Sequence, residues 1–207
     1  MRRLGILLSG RGSNFISIAE AIRDGRLPGA EIAVVLSNVP DAAGLAAARK
    51  LGLPAVAIPS AGRKRAEYDA EMIAALHQHR VDLVCLAGYM RIISPEFVHE
   101  FPNRILNIHP SLLPAFPGLN VQAQALEYGA KVAGCTVHFV DEAVDHGAII
   151  LQRVVPVLDD DTAESLSARI LEQEHIAYTE AIARVLSSEY HLEGRRYVHR
   201  DQQVLAH

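Results

Sequence analysis

Short apolar runs alternate with amphipathic segments over the first half of the chain, and polar turns separate them. An apolar run bounded by turn residues is typical of a strand buried on both faces, and apolar residues three or four positions apart are typical of a helix. The runs predict strands at residues 4–8, 32–36, 55–58, 83–87 and 105–109. The amphipathic segments predict helices at residues 13–23, 42–51 and 66–79, the first two with Ser13 and Asp41 as N-caps.

The pattern changes after residue 109. Prolines stiffen residues 110–118, and a helix is expected at 121–128. Strands are expected at 132–140 and 149–157, and their connection is too short for a crossover helix, so we expect them to be antiparallel. The acidic stretch 159–162 precedes a long helix over 163–186, and residues 190–198 suggest a small hairpin.

Strand and helix alternate at the spacing of right-handed βαβ units, which build a parallel sheet. We therefore predict an α/β fold, a Rossmann-like three-layer sandwich whose sheet is mostly parallel with an antiparallel C-terminal part. The chain contains neither a repeat nor a linker. It is therefore expected to form one domain over residues 1–207, in which 190–207 supply the hairpin and a loose tail.

The composition narrows the class of protein. Half the residues are hydrophobic, 21% are charged and the net charge is −4, as in an ordinary globular protein, and duplex nucleic acid is not an expected partner. The first apolar run is too short for a signal peptide or a membrane span. Cys85 and Cys135 lie within apolar runs and are expected to be buried and reduced. These features predict a cytoplasmic protein with no membrane partner.

The fifth strand ends in polar residues. Asn107 and His109 are two positions apart and therefore share one face of the strand, and Pro110 keeps His109 extended. Ligands bind at the carboxyl ends of parallel strands. An amide and an imidazolium there could both donate hydrogen bonds to a developing oxyanion.

The glycine-rich stretch 9–14 follows the first strand. Glycines let backbone N–H groups approach a phosphate at a helix N-terminus. A dinucleotide fingerprint is not matched, because Phe15 stands at the third glycine position. Ser13 and Asn14 add side-chain donors, so a single phosphate is the functional interpretation, and a tight turn that begins a helix is the alternative.

Residues 141–147 are rich in acidic side chains. They could form only a polar hairpin loop, or they could bring Asp145 to His109, where a carboxylate would favour the imidazolium form. Five histidines could be considered as metal ligands, but no HExxH motif or cysteine cluster supports them, and no metal is expected. They are His79, His99, His138, His146 and His175.

Four motifs together resemble those of the phosphoribosylglycinamide formyltransferase family, over residues 3 to about 190. They are Gly-Arg-Gly-Ser-Asn at 10–14, Leu-Ala-Gly-Tyr-Met-Arg-Ile-Ile at 86–93, Asn-Ile-His-Pro-Ser-Leu-Leu-Pro at 107–114, and the loop that ends in Asp145. The resemblance implies transfer of a formyl group from 10-formyltetrahydrofolate, a co-substrate, to the amine of phosphoribosylglycinamide in purine biosynthesis, by a monomer or a homodimer. It requires no metal.

The resemblance also implies roles for individual residues. The catalytic residues would be Asn107, His109 and Asp145. The ribonucleotide would contact Gly12, Ser13, Asn14, Leu171 and Glu174, although the family usually has a polar residue at position 171. The formyl folate would contact Arg65, Met90, Arg91, Ile92, Ile93, Asn107, Asp141, Glu142, Ala143, Val144 and Asp145.

Three alternatives stay open. Methionyl-tRNA formyltransferase and formyltetrahydrofolate deformylase share the motif at 107–114, but each normally has a further domain, which this chain is expected to lack. A nucleotide-binding regulatory module would explain the glycine-rich stretch but not Asn107 together with His109. Further departures from the family pattern are Ala115, Asn120 and His146.

Overall fold

The computed structural model describes residues 1–201. The predicted loose tail includes residues 202–207, which lie outside the described residues. The chain divides into two compact units, Met1–Asn107 and Ile108–His207, and the division falls within one strand. The expectation of a single domain stays a prediction.

The first unit contains parallel strands in the order β3-β2-β1-β4-β5. The strands are β1 (Arg2–Leu8), β2 (Ala30–Ser37), β3 (Ala55–Ala57), β4 (Leu83–Leu86) and β5 (Ile105–His109), and the helices are α1 (Ser13–Arg23), α2 (Ala43–Lys50), α3 (Arg65–Gln78) and α4 (Pro95–Glu100). Most residues of β1, β2 and β4 are fully buried, as continuous apolar runs predict.

The second unit begins with the end of β5 and has mostly antiparallel strands. Its elements are α5 (Val121–Tyr128), β6 (Val132–Phe139), β7 (Ile149–Pro156), α6 (Ala163–Leu186), β8 (Tyr190–Glu193) and β9 (Arg196–His199). The pairs β6–β7 and β8–β9 are antiparallel, and β9 pairs parallel to β7 at Arg196 and Ile149. The predicted α/β class, with an antiparallel C-terminal part, is confirmed.

Three local differences separate the structure from the sequence prediction. Helix α4 was not expected, because its few residues show no helical period; Ser94 caps it by accepting the Phe97 N–H. The proposed N-caps of α1 and α2 are wrong, since Gly12 and Ala42 occupy those positions.

Both cysteines are buried thiols, as expected. Burial, followed by the negative charge of Glu174, raises the pKa of the Cys135 thiol to about 12, so this thiol is unreactive at neutral pH. Within residues 1–201, no helix combines the length and apolarity needed to cross a membrane.

Helix α6 begins with a reciprocal capping box. The Thr162 hydroxyl accepts the Ser165 N–H at 3.2 Å, and the Ser165 hydroxyl accepts the Thr162 N–H at 3.0 Å. The box satisfies two N–H groups that the helix itself leaves without partners.

We expect Thr162→Ala to lower the free energy of unfolding by about 1 kcal/mol, because the Ser165 N–H loses its acceptor. Thr162→Ser keeps the hydroxyl and should stay close to wild type. Urea denaturation followed by circular dichroism measures both variants, and equal losses in the two would show that the cap contributes nothing.

Candidate active site

The carboxyl ends of β1 and β4 lie side by side in the first unit, where the strand order reverses. Ligands of doubly wound sheets bind at such a switch point. The Ser9 N–H donates to the Gly88 carbonyl at 3.0 Å, and the Met90 N–H donates to the Ser9 hydroxyl at 2.8 Å. The same hydroxyl donates to Asn38 Oδ1 at 2.5 Å. The segments that follow β1, β2 and β4 are therefore joined through one serine.

The glycine-rich stretch begins α1 at this edge. Gly12 has a φ of +75°, and a Cβ there would lie 3.0 Å from the Gly44 Cα and 3.2 Å from the Leu8 side chain. Both observations require glycine. Ser13 and Asn14 follow in the first helical turn, whose N–H groups point outward from the helix end. The local geometry suits an anion at the N-terminus of α1.

One predicted folate residue of the first unit, Arg91, contacts the ring of Tyr68. This ring is fully buried on α3, one turn after the exposed Arg65. The Arg91 guanidinium lies over the ring, 4.7 Å from its centre, and the Tyr89 hydroxyl donates to the Tyr68 hydroxyl at 3.2 Å. The apolar neighbours of Arg91 range from half-buried to strongly exposed. They are Met90, 69% exposed, Ile92, 53% exposed, and Ile93, half-buried.

His109 and Asp145 form a buried pair in the second unit. Their side chains are 7% and 9% exposed, and His109 Nδ1 lies 3.5 Å from Asp145 Oδ2. His109 Nε2–H donates to the Phe116 carbonyl at 3.0 Å. Both ring nitrogens therefore face acceptor oxygens, the carboxylate at Nδ1 and the backbone carbonyl at Nε2.

Asp145 is fixed on two sides. Its Oδ2 also accepts the Gly118 N–H at 2.8 Å, so residues 116–118 contact both members of the pair. Its backbone has a φ of +53°, which is uncommon for a residue with a side chain, although aspartate is among the residues that tolerate it best. The orientation of the carboxylate therefore depends on the conformation of residues 140–148.

A second network of hydrogen bonds, centred on the buried Thr136, holds the proline-rich segment that follows His109. The Thr136 hydroxyl donates to the Ser111 carbonyl at 2.7 Å and accepts the Leu113 N–H at 3.0 Å. Gln152 Nε2 donates to the Leu113 carbonyl at 2.8 Å and to the Thr136 hydroxyl at 3.0 Å. The polar residues of β6 and β7 thus determine where the segment after β5 lies.

A formyl transferase family model matches residues 2–182. The chain belongs to the formyl transferase family.

Individual relatives agree with this family. The chain is 48% identical over 188 residues to a Drosophila melanogaster protein named trifunctional purine biosynthetic protein adenosine-3; the match covers 90% of this chain and 14% of that protein. It is 44% identical to a Haemophilus influenzae protein named phosphoribosylglycinamide formyltransferase, and the match covers 86% of this chain and 84% of that protein. A solved structure, glycinamide ribonucleotide transformylase 1 from Symbiobacterium toebii, superposes with a TM-score of 0.93 at 52% identity. The superposition covers 96% of this chain and 94% of that chain.

The other predicted site residues of the second unit lie on α6 and in the loop between β6 and β7. Glu174 is buried and Leu171 half-buried, three residues apart on one face of α6. The predicted folate loop, Asp141 to Asp145, connects β6 to β7. Glu142, Ala143 and Val144 are exposed at its tip. Among residues 1–201, no group of three or more side chains is arranged to hold a metal ion.

Sequence reasoning missed the roles of several groups around His109. Phe116 and Gly118 act through backbone atoms, which no side-chain pattern reveals. Thr136 could have been found, because Thr136 and His138 are polar residues two apart within the otherwise apolar β6. His138 was considered only as a metal ligand. Its Nδ1–H donates to the Phe139 carbonyl at 2.7 Å.

We expect Thr136→Val to lower the free energy of unfolding by about 2–3 kcal/mol, because the Leu113 N–H and the Ser111 carbonyl lose a buried partner. Thr136→Ser keeps the hydroxyl and should lose less than about 1 kcal/mol. Urea denaturation compares the two variants. A valine variant as stable as the serine variant would contradict the role of the hydroxyl.

Burial lowers the pKa of His138 below its ordinary value of 6.5. Below pH 6.5 the unfolded chain therefore binds more protons than the native protein, and native stability falls as the pH falls. We expect His138→Gln to reduce this acid dependence, by at most about 1.4 kcal/mol per pH unit.

Urea denaturation at pH 7.5 and pH 5.5 measures the effect. The control is His99→Gln, which changes an exposed histidine and should keep the wild-type dependence. Identical pH dependences in wild type and His138→Gln would contradict the assignment.

Proposed function

We propose that this formyl transferase transfers the formyl group of 10-formyltetrahydrofolate to the amine of phosphoribosylglycinamide, a step of purine biosynthesis. The observation that carries the proposal is the buried His109–Asp145 pair. Within this pair, His109 lies two residues after Asn107 on β5. The names of the relatives support the acceptor. The chain spans only 14% of the length of the Drosophila relative, so the activity is proposed for this chain on its own residues.

The reaction joins the amine nitrogen to the formyl carbon and breaks the bond from that carbon to the folate nitrogen. Negative charge develops on the formyl oxygen as the new bond forms. The Asn107 amide and the His109 imidazolium donate to that oxygen, and such preorganised donors contribute about 3–4 kcal/mol each. The proton lost by the amine reaches the folate nitrogen through water, with Asp145 as the base nearest to His109.

The Phe116 carbonyl gives this mechanism a specific step. It accepts a hydrogen bond from His109 Nε2–H, which is the donor that the formyl oxygen would need. We infer that the formyl oxygen takes the place of this carbonyl when the folate binds. Residues 116–118 are then displaced from His109, while Asp145 stays paired with the ring.

The residues fit the two substrates. The N-terminus of α1, with Gly12, Ser13 and Asn14, suits the phosphate of the ribonucleotide. The buried Glu174 on α6 is proposed as a further ribonucleotide contact. Exposed apolar side chains beside charged ones suit a flat folate. Those of the first unit are Met90 and Ile92, and Val144 in the folate loop is 55% exposed. Cytoplasmic location and a monomeric or homodimeric state belong to the same proposal.

One assay tests the reaction. Release of tetrahydrofolate from 10-formyltetrahydrofolate is followed with and without phosphoribosylglycinamide. Release that depends on the ribonucleotide is the expected result. Release without it would indicate a hydrolase, and no release in either case would indicate a binding module; both outcomes would overturn the proposal.

We expect Asp145→Asn to lower kcat by about 10²–10⁴-fold, because the imidazolium loses its counter-charge while the amide oxygen can still accept the Gly118 N–H. Steady-state formyl transfer measures this loss, and circular dichroism checks the fold. Asp159→Asn, at an exposed carboxylate, is the matched control and should keep wild-type turnover. An Asp145→Asn variant with near wild-type turnover would show that the catalytic residues are misassigned.

A further inference from the structure

The loop at residues 140–148 is closed by contacts between its own ends. The Phe139 N–H donates to the Ala148 carbonyl at 2.9 Å, and Gly147 packs so closely that a Cβ would collide with the Phe139 carbonyl. Asp141 accepts the Ala143 N–H at 3.0 Å and pairs with His146 Nδ1 at 2.8 Å. The Asp141–His146 pair is exposed, and exposed ion pairs contribute little to stability, so it holds the loop only weakly.

The C-terminal hairpin, β8 and β9, adds a contact to this loop through Arg195 in its turn. Arg195 Nη2–H donates to the His146 carbonyl. Arg195 Nη1 lies 3.4 Å from His146 Nδ1 and 3.3 Å from Nε2. These nearly equal distances place the guanidinium over the face of the imidazole rather than beside one nitrogen. One arginine therefore contacts both the backbone and the ring of the residue that follows Asp145.

The hairpin also contacts the residues that flank the loop on both sides. Tyr197 meets Phe139, the last residue of β6, edge to face with ring centres 5.3 Å apart. Arg196 pairs with Ile149, the first residue of β7. The Tyr197 hydroxyl also donates to the Arg184 carbonyl on α6 at 3.2 Å. Since the hairpin rests on the residues that flank the loop, Arg195 holds His146 from a fixed support.

The contact matters because of the backbone of Asp145. Its positive φ is unfavourable for a residue with a side chain, so the surrounding structure must maintain it. The Arg195 hydrogen bond fixes the carbonyl of the next residue. The family match ends at residue 182, before the hairpin, so Arg195 lies outside the matched region.

We propose that Arg195 is a positioning residue, which acts through His146 to hold the 140–148 loop in its folate-binding conformation before the folate arrives. This rests on the proposed function of the loop. Preorganisation lowers the cost of binding, and the bound folate itself would hold the loop during the reaction. Loss of Arg195 should therefore weaken binding more than it slows turnover.

We expect Arg195→Ala to raise the KM for 10-formyltetrahydrofolate about tenfold while kcat and the KM for phosphoribosylglycinamide change by less than about twofold. The Kd for tetrahydrofolate, measured by calorimetry, should rise by a similar factor. Hydrogen exchange of the amides at 141–147 should be faster in the ligand-free variant. This readout is independent of the reaction.

Arg196→Ala is the matched control, since Arg196 is an exposed arginine on the same hairpin, and it should keep wild-type values. Arg195→Lys can still donate to the His146 carbonyl but has no planar group to lie on the ring, so it should be intermediate. If Arg195→Ala matches Arg196→Ala in folate Kd and in exchange, the inference is overturned. If wild type binds tetrahydrofolate but transfers no formyl group, the proposed function fails, and the Kd and exchange data still decide the role of Arg195.

Discussion

The pairing of His109 with Asp145 is the interaction on which the candidate site depends. Both side chains are almost fully buried, and burial of an isolated charge is costly, so each group needs the partner that the other supplies. Two backbone groups complete the arrangement, the Phe116 carbonyl on the ring and the Gly118 N–H on the carboxylate. The ring and the carboxylate are therefore already oriented toward each other before a substrate binds.

Each partner is supported by a different part of the second unit. The segment after His109 is held by buried hydrogen bonds from Thr136 and by a partly buried one from Gln152 to the backbone of Leu113. Asp145 is held by the 140–148 loop, which contacts the C-terminal hairpin through Arg195. The elements that fix the geometry of the His109–Asp145 pair are thus distinct from the pair itself. Substitutions at those elements should act on binding and stability before they act on chemistry.

Much of the fold could be predicted from the sequence. The bounds of β5, α5 and α6 match the expected ones, because their apolar patterns end at strong turn or cap signals such as Pro110, Gly129 and Thr162. Helix α4 could not be predicted, since it is too short to show a period. The N-cap of α1 was misassigned because a left-handed Gly12 occupies the position at which a serine side chain was expected.

The site was predicted less completely. Asn107 and His109 were recognisable because a strand places residues two apart on one face. The approach of Asp145 to His109 depends on the path of a loop, and sequence alone left it as one of two interpretations. The roles of Phe116 and Gly118 were not predictable, since any residue offers the same backbone groups. No sequence pattern indicated a role for Arg195, because its partner His146 lies far from it along the chain.

The central claim is that His109 and Asp145 act as one catalytic unit in formyl transfer. A double-mutant cycle in single-turnover formyl transfer tests it most directly, with wild type, His109→Ala, Asp145→Asn and the double variant. Residues that act as a unit lose no more together than the more damaging single change. The account predicts that the double variant is as slow as His109→Ala alone. Losses that multiply in the double variant would show that the two residues act independently, and would contradict the account.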